Sequence, residues 1–320
     1  MKYLQWLYYR MSAKIREMNI RKCGSAKKYS DSLEKYGGKE LLACSDANEY
    51  IKECILSGKP FLAARFGSTE LLNVQTYEFG AHGKYGKEDR FKQLCDWSGF
   101  FPNDISLCGR FAETIEEACT FVDLIAVWYM PFEEYYIKKC MPENVKQTYL
   151  LDFEPWASEC HWSAALKGKK VLVIHPFTET IRFQYNRRSE LFPGTDILPD
   201  FELKTLKAVQ TLAGTKDSRF ENWFDALDWM YNEAMKIDFD IAIIGCGAYG
   251  LPLASKIKQA GKQAIHLAGA TQILFGIKGK RWEEDPAFDY VRKWFNDFWI
   301  RPSDIDKIEN SQKVEDSCYW

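Results

Sequence analysis

The chain has 320 residues, a mass of 37.3 kDa and a formal net charge of -2. Its 46% hydrophobic and 28% charged residues are typical of a globular protein and exclude global disorder. The near-neutral charge argues against a nucleic-acid-binding protein, which would be basic along one face, so no nucleic-acid partner is predicted.

The first 30 residues form an unusual segment that contains eight basic residues and a single acidic one, Glu17. Aromatic and aliphatic residues lie between the basic ones. We assign residues 1–35 to a basic aromatic N-terminal segment. The pattern predicts a helix that either lies on an anionic membrane surface or packs against the main domain or a partner. No apolar run approaches the ~20 residues of a membrane span. With no signal peptide and no C-x-x-C pair among ten cysteines, we expect a cytoplasmic protein, with membrane association at the inner face as the alternative.

The first predicted strand, 61–64, leads into the turn RFGSTE at 65–70. In a structural interpretation, Gly67 makes the turn, Ser68 caps a helix and the helix dipole favours Glu70 in the first turn. In a functional interpretation, Arg65 and Glu70 face a ligand at the strand tip. Glu70 would then bind Mn²⁺ or Mg²⁺, which prefer oxygen ligands.

Two further predicted strands, 124–128 and 171–174, precede other candidates. His175 follows the second strand and is a candidate to hydrogen-bond a phosphate or an acceptor hydroxyl, while Glu179 is a candidate catalytic base. Each also has a plain interpretation, His175 as a pocket-edge histidine and Glu179 as a first-turn helix acid. An Asp-x-Glu sequence at 152–154 precedes a proline and a tryptophan rather than a glycine turn, so we interpret it as a loop.

The next elements are a candidate strand at 204–211, a helix at 222–236 and a strand at 241–244. Gly245, Gly247 and Gly250 follow as G-x-G-x-x-G, and a helix is predicted at 251–260. Free amides at the start of a helix favour an anion, so the turn is a candidate phosphate site. The alternative is that these glycines serve only close packing of strand and helix.

A dinucleotide site also needs an acidic residue at the end of the next strand, here predicted at 264–267. No acid follows until Glu283, which disfavours a dehydrogenase and favours a phosphate or nucleotide-diphosphate ligand. Small and polar residues after this strand predict a pocket wall, and a basic loop behind it either neutralises a diphosphate or is a solvated surface. The candidates in these two stretches are Gly269, Thr271, Gln272, Lys280 and Arg281.

Alternating strands and helices predict an α/β protein with a Rossmann-like, mostly parallel sheet and helices on both faces. Ligands of such sheets bind beyond the carboxyl ends of the strands. We assign residues 36–300 to a single catalytic domain, with a lobe boundary near 160–170 as an alternative. Residues 301–320 are expected to be a loose polar tail.

The turn at 65–70 resembles the Arg-(Phe/Tyr)-Gly-Asp-x-Glu turn of the GT-D-type bacterial glycosyltransferases. Arg65, Phe66, Gly67 and Glu70 match it, and Ser68 replaces the first acid of the pair. The glycine-rich stretch 240–282 is also similar to members of this family, so the resemblance covers roughly 55–282. It implies a Rossmann-like fold, a sugar-nucleotide donor and a metal held by the acidic pair. At the first position of that pair, the Ser68 hydroxyl can still ligate the metal with Glu70 but adds no charge.

The resemblance and the motifs together predict a glycosyltransferase that uses a nucleotide-diphosphate sugar, with a UDP-sugar favoured. The expected acceptor is a glycan or lipid-linked glycan of a bacterial surface polysaccharide or glycoprotein. A nucleotide-binding Rossmann oxidoreductase and a non-catalytic nucleotide-sugar-binding protein remain the alternatives.

Overall fold

The computed structural model describes residues 2–81, 85–215, 217–307 and 318–320. Nine strands form its sheet: β1 (Lys35–Tyr36), β2 (Lys39–Leu42), β3 (Phe61–Arg65), β4 (Leu124–Val127), β5 (Lys146–Tyr149), β6 (Lys170–His175), β7 (Glu202–Lys207), β8 (Ile241–Ile244) and β9 (Gln263–His266). Their spatial order is β1-β2-β5-β4-β3-β9-β8-β6-β7. Every pair is parallel except β1 with β2. The prediction of an α/β, Rossmann-like, mostly parallel sheet is confirmed.

Helices connect the strands and cover both faces of the sheet. They are α1 (Lys2–Cys23), α2 (Ala26–Asp31), α3 (Cys44–Ser57), α4 (Ser68–Phe79), α5 (Lys87–Ser98), α6 (Cys108–Cys119), α7 (Glu133–Cys140), α8 (Leu150–Phe153), α9 (Thr178–Tyr185), α10 (Arg188–Leu191), α11 (Trp223–Met235), α12 (Gly250–Gln259), α13 (Thr271–Leu274), α14 (Lys280–Glu284) and α15 (Asp289–Arg292).

The central strands are apolar along their whole length because helices bury both faces of the sheet. In β3, Leu62 and Ala64 join one hydrophobic cluster, whereas Phe61 and Ala63 join the other. Successive side chains of a strand point to opposite faces, so one short apolar run supplies both halves of the core. This is why the apolar runs predicted β3, β4, β6, β8 and β9 within one residue at each end.

The sequence did not predict β1, β2 or β5. In β5, Gln147 and Thr148 are fully buried, and the Gln147 amide donates to the Tyr36 carbonyl at 2.9 Å. A buried polar side chain is stable when it is hydrogen-bonded, but its residue type hides the strand from a search for apolar runs.

The sheet continues across the stretch 160–170, since β5 and β6 before and after it belong to the same sheet. Trp162 in that stretch is fully buried in the core. Of the tail expected at 301–320, residues 308–317 lie outside the described residues. Residues 318–320 differ from a loose tail, because Cys318 and Trp320 are buried.

The N-terminal segment forms α1 and α2, and α1 packs one face on the domain. Trp6, Tyr9 and Ile20 contact the main hydrophobic cluster, and the buried Arg16 donates to the Met130 carbonyl at 3.5 Å. In the described part of the chain, no helix combines the length and the apolar character needed to cross a bilayer.

Candidate functional site

A cavity of about 440 Å³ lies at the carboxyl ends of the parallel strands that run from β5 to β7 in the sheet order. The turn 65–70 after β3 and the glycine turn after β8 both line it. The two motifs singled out in the sequence therefore meet in one crevice, because strands in a parallel sheet present their carboxyl ends at the same edge.

The turn after β3 places Glu70 at the start of α4. Gly67 is the N-cap residue and makes no side-chain cap, and Ser68 is the exposed first residue of the helix, so the expected Ser68 cap is wrong. A Cβ on Gly67 would overlap the Glu70 carboxylate, which folds back toward the helix end. Burial raises the pKa of Glu70, while a hydrogen bond from Ser98 and the charge of Arg65 oppose that rise.

Arg65 lies on the same wall and brings a positive charge to the cavity. Its guanidinium stacks 4.6 Å from the ring centre of Trp128, which follows β4. Burial lowers the pKa of Arg65, and the nearby Glu154, Tyr319 and Glu70 raise it. An arginine keeps its proton under such conditions, so the wall carries a permanent cation.

Glu154 is the carboxylate with the most perturbed surroundings in the lining. It is 5% exposed and accepts a hydrogen bond from the Tyr290 hydroxyl at 2.7 Å. Burial raises its pKa to about 7, against the lowering effects of Tyr290 and Arg65. A carboxylate that titrates near neutrality and borders a cavity is suited to general acid–base catalysis.

The glycines after β8 serve packing as well as the cavity. A Cβ on Gly245 would lie 2.6 Å from the Thr271 hydroxyl oxygen, and one on Gly247 would lie 2.7 Å from the Ser98 carbonyl oxygen. Gly247 also has a φ of +59°, which favours glycine. Gly245 and Gly247 line the cavity, but Gly250 does not; it packs against the His266 ring. The interpretation of Gly250 as a ligand-binding residue is wrong, because its missing side chain makes room for a histidine.

Gly250→Ala is expected to lower the free energy of unfolding by about 1–3 kcal/mol, because the new methyl overlaps the buried His266 ring. Urea unfolding of the variant measures this loss. The matched variants are His266→Ala and the double variant Gly250→Ala with His266→Ala. In the double variant the overlap is relieved, so its loss of unfolding free energy should be smaller than the sum of the two single losses. A single Gly250→Ala variant as stable as the wild type would contradict this packing.

Two buried histidines border the cavity as neutral groups. Burial lowers the pKa of His175 to about 3, and its Nδ1 accepts a hydrogen bond from the Phe177 amide at 3.0 Å. The proton of the neutral ring then lies on Nε2, which leaves a hydrogen-bond donor. Burial also lowers the pKa of His266 to about 3, and the positive charge of Arg65 contributes to this lowering.

The wall after β9 includes Gly269, Gln272 and Arg281, together with the last two residues of the chain. The Arg281 guanidinium donates to the Tyr319 hydroxyl at 3.3 Å and stacks 4.8 Å from that ring centre. A Cβ on Gly269 would lie 2.6 Å from the Tyr319 ring, so this glycine admits the C-terminal segment. Arg281 is thus a cation held in place at the cavity edge.

Three other predicted site residues lie outside the cavity lining. Glu179 is exposed on α9 and pairs with Arg182, so the geometry does not support it as the base. Thr271 is fully buried against Gly245, and Lys280, the half-buried first residue of α14, does not line the cavity although Arg281 next to it does. These residues follow strand ends just as the lining residues do, so their position in the sequence did not show that they lie outside the cavity.

Several lining residues carry a buried polar atom that has no hydrogen-bond partner among the residues that the structure describes. Buried polar groups are nearly always paired in folded proteins, so these atoms are suited to a polar ligand. They are Trp128 Nε1, Gln210 Nε2, His266 Nδ1, Gln272 Oε1 and Trp320 Nε1.

The predicted Mn²⁺ or Mg²⁺ site offers few ligands. Glu70 supplies one carboxylate and Ser68 one hydroxyl, and among the described residues no group of three or more His, Cys, Asp or Glu is arranged to hold a metal. Glu70 is also turned back over Gly67. These donors do not fit a divalent cation held by the protein alone, which needs several oxygen ligands.

The sequence missed a set of cavity residues that only the fold brings together. Glu154 was interpreted as part of a loop, and it does follow the short helix α8, but β5 places that helix beside β4 and the cavity. A carboxylate next to a proline gives no local signal of this position. Aromatic residues of the lining that the sequence also missed include Trp97, Trp128, Tyr149, Phe288, Tyr290, Tyr319 and Trp320.

No protein-family model matches the chain, and no curated protein matches it. The chain is similar to a structure described as a selenomethionine-substituted "domain of unknown function 1792", with 14% identity, a TM-score of 0.41, and 73% of this chain and 79% of that chain covered. A second is described in the words "the highly conserved domain of unknown function 1792 has a distinct glycosyltransferase fold". It has 14% identity, a TM-score of 0.41, and coverage of 72% of this chain and 79% of that chain. A similarity of this size does not establish a shared site.

Proposed function

We propose that the protein is a glycosyltransferase that takes a nucleotide-diphosphate sugar as donor, with a UDP-sugar favoured, and a glycan or lipid-linked glycan as acceptor. The observation that carries the proposal is that two strand-end turns, two arginines and two carboxylates whose pKa is raised by burial meet in one cavity lined by aromatic rings.

A diphosphate suits the cationic side of this cavity. Arg65 and Arg281 border it, and residues 246–249 lie just before α12, where the helix dipole favours an anion, whereas the amides of Gly245 and Gly250 donate to the Ile174 and Gly247 carbonyls. His175 adds a neutral donor. The flat rings of Trp128, Trp282 and Tyr290 offer faces on which a base or a sugar ring can stack.

The chemistry we propose needs one proton acceptor and a stabilised leaving group. The acceptor hydroxyl oxygen bonds to the anomeric carbon as the bond from that carbon to the phosphate oxygen breaks. Glu154 takes the hydroxyl proton, and Arg65 and Arg281 offset the charge that develops on the departing nucleotide diphosphate. In this scheme Glu70 orients Arg65, and we propose no step through a metal.

A thermal-shift panel of UDP, GDP, CMP and NAD tests the donor class. We expect a nucleoside diphosphate, UDP first, to raise the melting temperature, and NAD to leave it unchanged, because no acidic residue stands at the end of β9 to bind a ribose. Arg281→Ala should weaken UDP binding at least about tenfold, since it removes a charge-assisted contact. Lys280→Ala is the matched control, since its side chain is outside the cavity.

Mn²⁺ added without nucleotide should leave the melting temperature unchanged, because the oxygen ligands that the protein offers do not by themselves fit this cation. Stabilisation by NAD and not by any nucleoside diphosphate would contradict the proposal and favour the oxidoreductase alternative. Binding of UDP-sugars with no turnover, even with candidate glycan acceptors, would favour a non-catalytic binding protein.

A further inference from the structure

The helix α1 presents two different faces, and only one of them is used by the fold. The inner face packs on the domain through Trp6, Tyr9 and Arg16. The opposite face, offset by two residues or about 200° around the helix, carries an apolar row that we call the outer stripe. Its members and their exposed fractions are Leu4 70%, Tyr8 61%, Met11 60%, Ile15 56% and Met18 57%.

The outer stripe is long and continuous. Its members follow one another at spacings of four and three residues along a helix of 22 residues, so they lie in one line on the surface. Single exposed apolar residues are ordinary, but a contiguous row marks an interaction surface.

The charges beside the outer stripe have one sign. Arg10, Lys14 and Lys22 are exposed on the same helix, and its one acidic residue, Glu17, is paired with Arg21. A second copy of α1 would place these cations against each other, which is unfavourable. An anionic lipid surface is complementary both to the basic residues and to the apolar row, which can enter the headgroup boundary.

We propose that α1 docks the protein on an anionic lipid surface through the outer stripe. The helix lies in the plane of the interface and does not cross the bilayer. It is fixed to the domain through residues that follow β4 and β5. Arg16 contacts the Met130 carbonyl, two residues after Trp128, and Lys27 of α2 pairs with Asp152 at 2.8 Å, two residues before Glu154. The inference concerns α1 and stands whichever ligand the cavity binds.

Co-sedimentation of the full chain with vesicles tests the docking. Vesicles of phosphatidylcholine with phosphatidylglycerol should bind the wild type, and vesicles of phosphatidylcholine alone should bind it much less. Added salt should weaken binding, since surface charges are screened. Reversing two cations, with Arg10→Glu and Lys14→Glu, should weaken it at least about 25-fold, at about fivefold for each charge removed.

The apolar part is tested with Tyr8→Ser, Met11→Ser and Ile15→Ser in one variant, which should bind at least about tenfold more weakly because binding scales with buried apolar area. These side chains are exposed, so the fold is kept, whereas deletion of α1 would uncover the core. The matched control is Leu56→Ser with Phe183→Ser, two residues that are 68% and 55% exposed elsewhere. It should bind like the wild type.

Three results would overturn the proposal. One is binding of the wild type to neutral and anionic vesicles alike, or to neither. Another is unchanged vesicle binding by both the charge-reversal variant and the variant with three serines in the outer stripe. The third is a wild-type dimer in solution that ignores vesicles and that the apolar variant converts to a monomer, which would make the outer stripe a contact between copies. UDP binding in the thermal-shift panel is independent of all three.

Discussion

Glu154→Gln is expected to lower the rate of sugar transfer on the order of 100-fold or more, the usual contribution of a general base. The amide keeps the size of the side chain and a partner for the Tyr290 hydroxyl, but it accepts no proton. UDP release from the UDP-sugar that stabilises the protein most measures the rate, with water or a glycan as acceptor. UDP binding should stay within a few-fold of the wild type, because the proposed role of Glu154 is in the chemical step.

The pH dependence gives a second readout for this residue. Burial raises the pKa of Glu154 to about 7, so the carboxylate is mostly protonated below that pH and mostly ionised above it. A base must be ionised to act, and the rate should therefore rise with pH through a midpoint near 7. In Glu154→Gln that rise should disappear.

Glu179→Gln is the matched control, an acidic residue in the same chain whose side chain is exposed and outside the cavity. It should transfer sugar at the wild-type rate and with the wild-type pH profile. Loss of activity in Glu179→Gln with full activity in Glu154→Gln would show that Glu179 is the base and Glu154 is not.

The strands whose carboxyl ends border the site were predictable because each is a short run of apolar residues. For β3, β6 and β8, each run ends directly before a residue of the cavity, and the rule that ligands bind beyond strand ends then found Arg65, His175 and Gly245. The same rule admitted Glu179 in error, since it says nothing about which way a helix turns its side chains. One turn after the strand end, α9 points this residue to solvent.

The rest of the site depends on long-range packing. Tyr290 and Glu154 are far apart in the sequence, and the C-terminal Tyr319 reaches Arg281 through space opened by Gly269. No local pattern encodes such contacts. The glycine turn shows a related effect, because Gly250 fits the G-x-G-x-x-G spacing and yet its purpose here is to accommodate His266.

Arg65→Met is expected to reduce sugar transfer on the order of 100-fold at neutral pH, because a preorganised charge next to the leaving diphosphate is lost. It should also move the pH midpoint upward. Arg65 lowers the pKa of Glu154, so removing the cation leaves burial opposed by hydrogen bonding alone, and the carboxylate ionises at higher pH. The pH profile of UDP release reports both effects at once.

Two variants separate this role from simple packing. Arg65→Lys keeps the charge but not the flat stack on Trp128, so it should return the midpoint toward 7 while restoring only part of the rate. Arg110→Met removes another arginine that stacks on an aromatic ring, 3.8 Å from the centre of Phe224 and outside the cavity, and it should leave rate and midpoint unchanged. An unshifted midpoint in Arg65→Met would mean that Glu154 does not respond to this charge, and the proposed pairing of base and cation would fail with it.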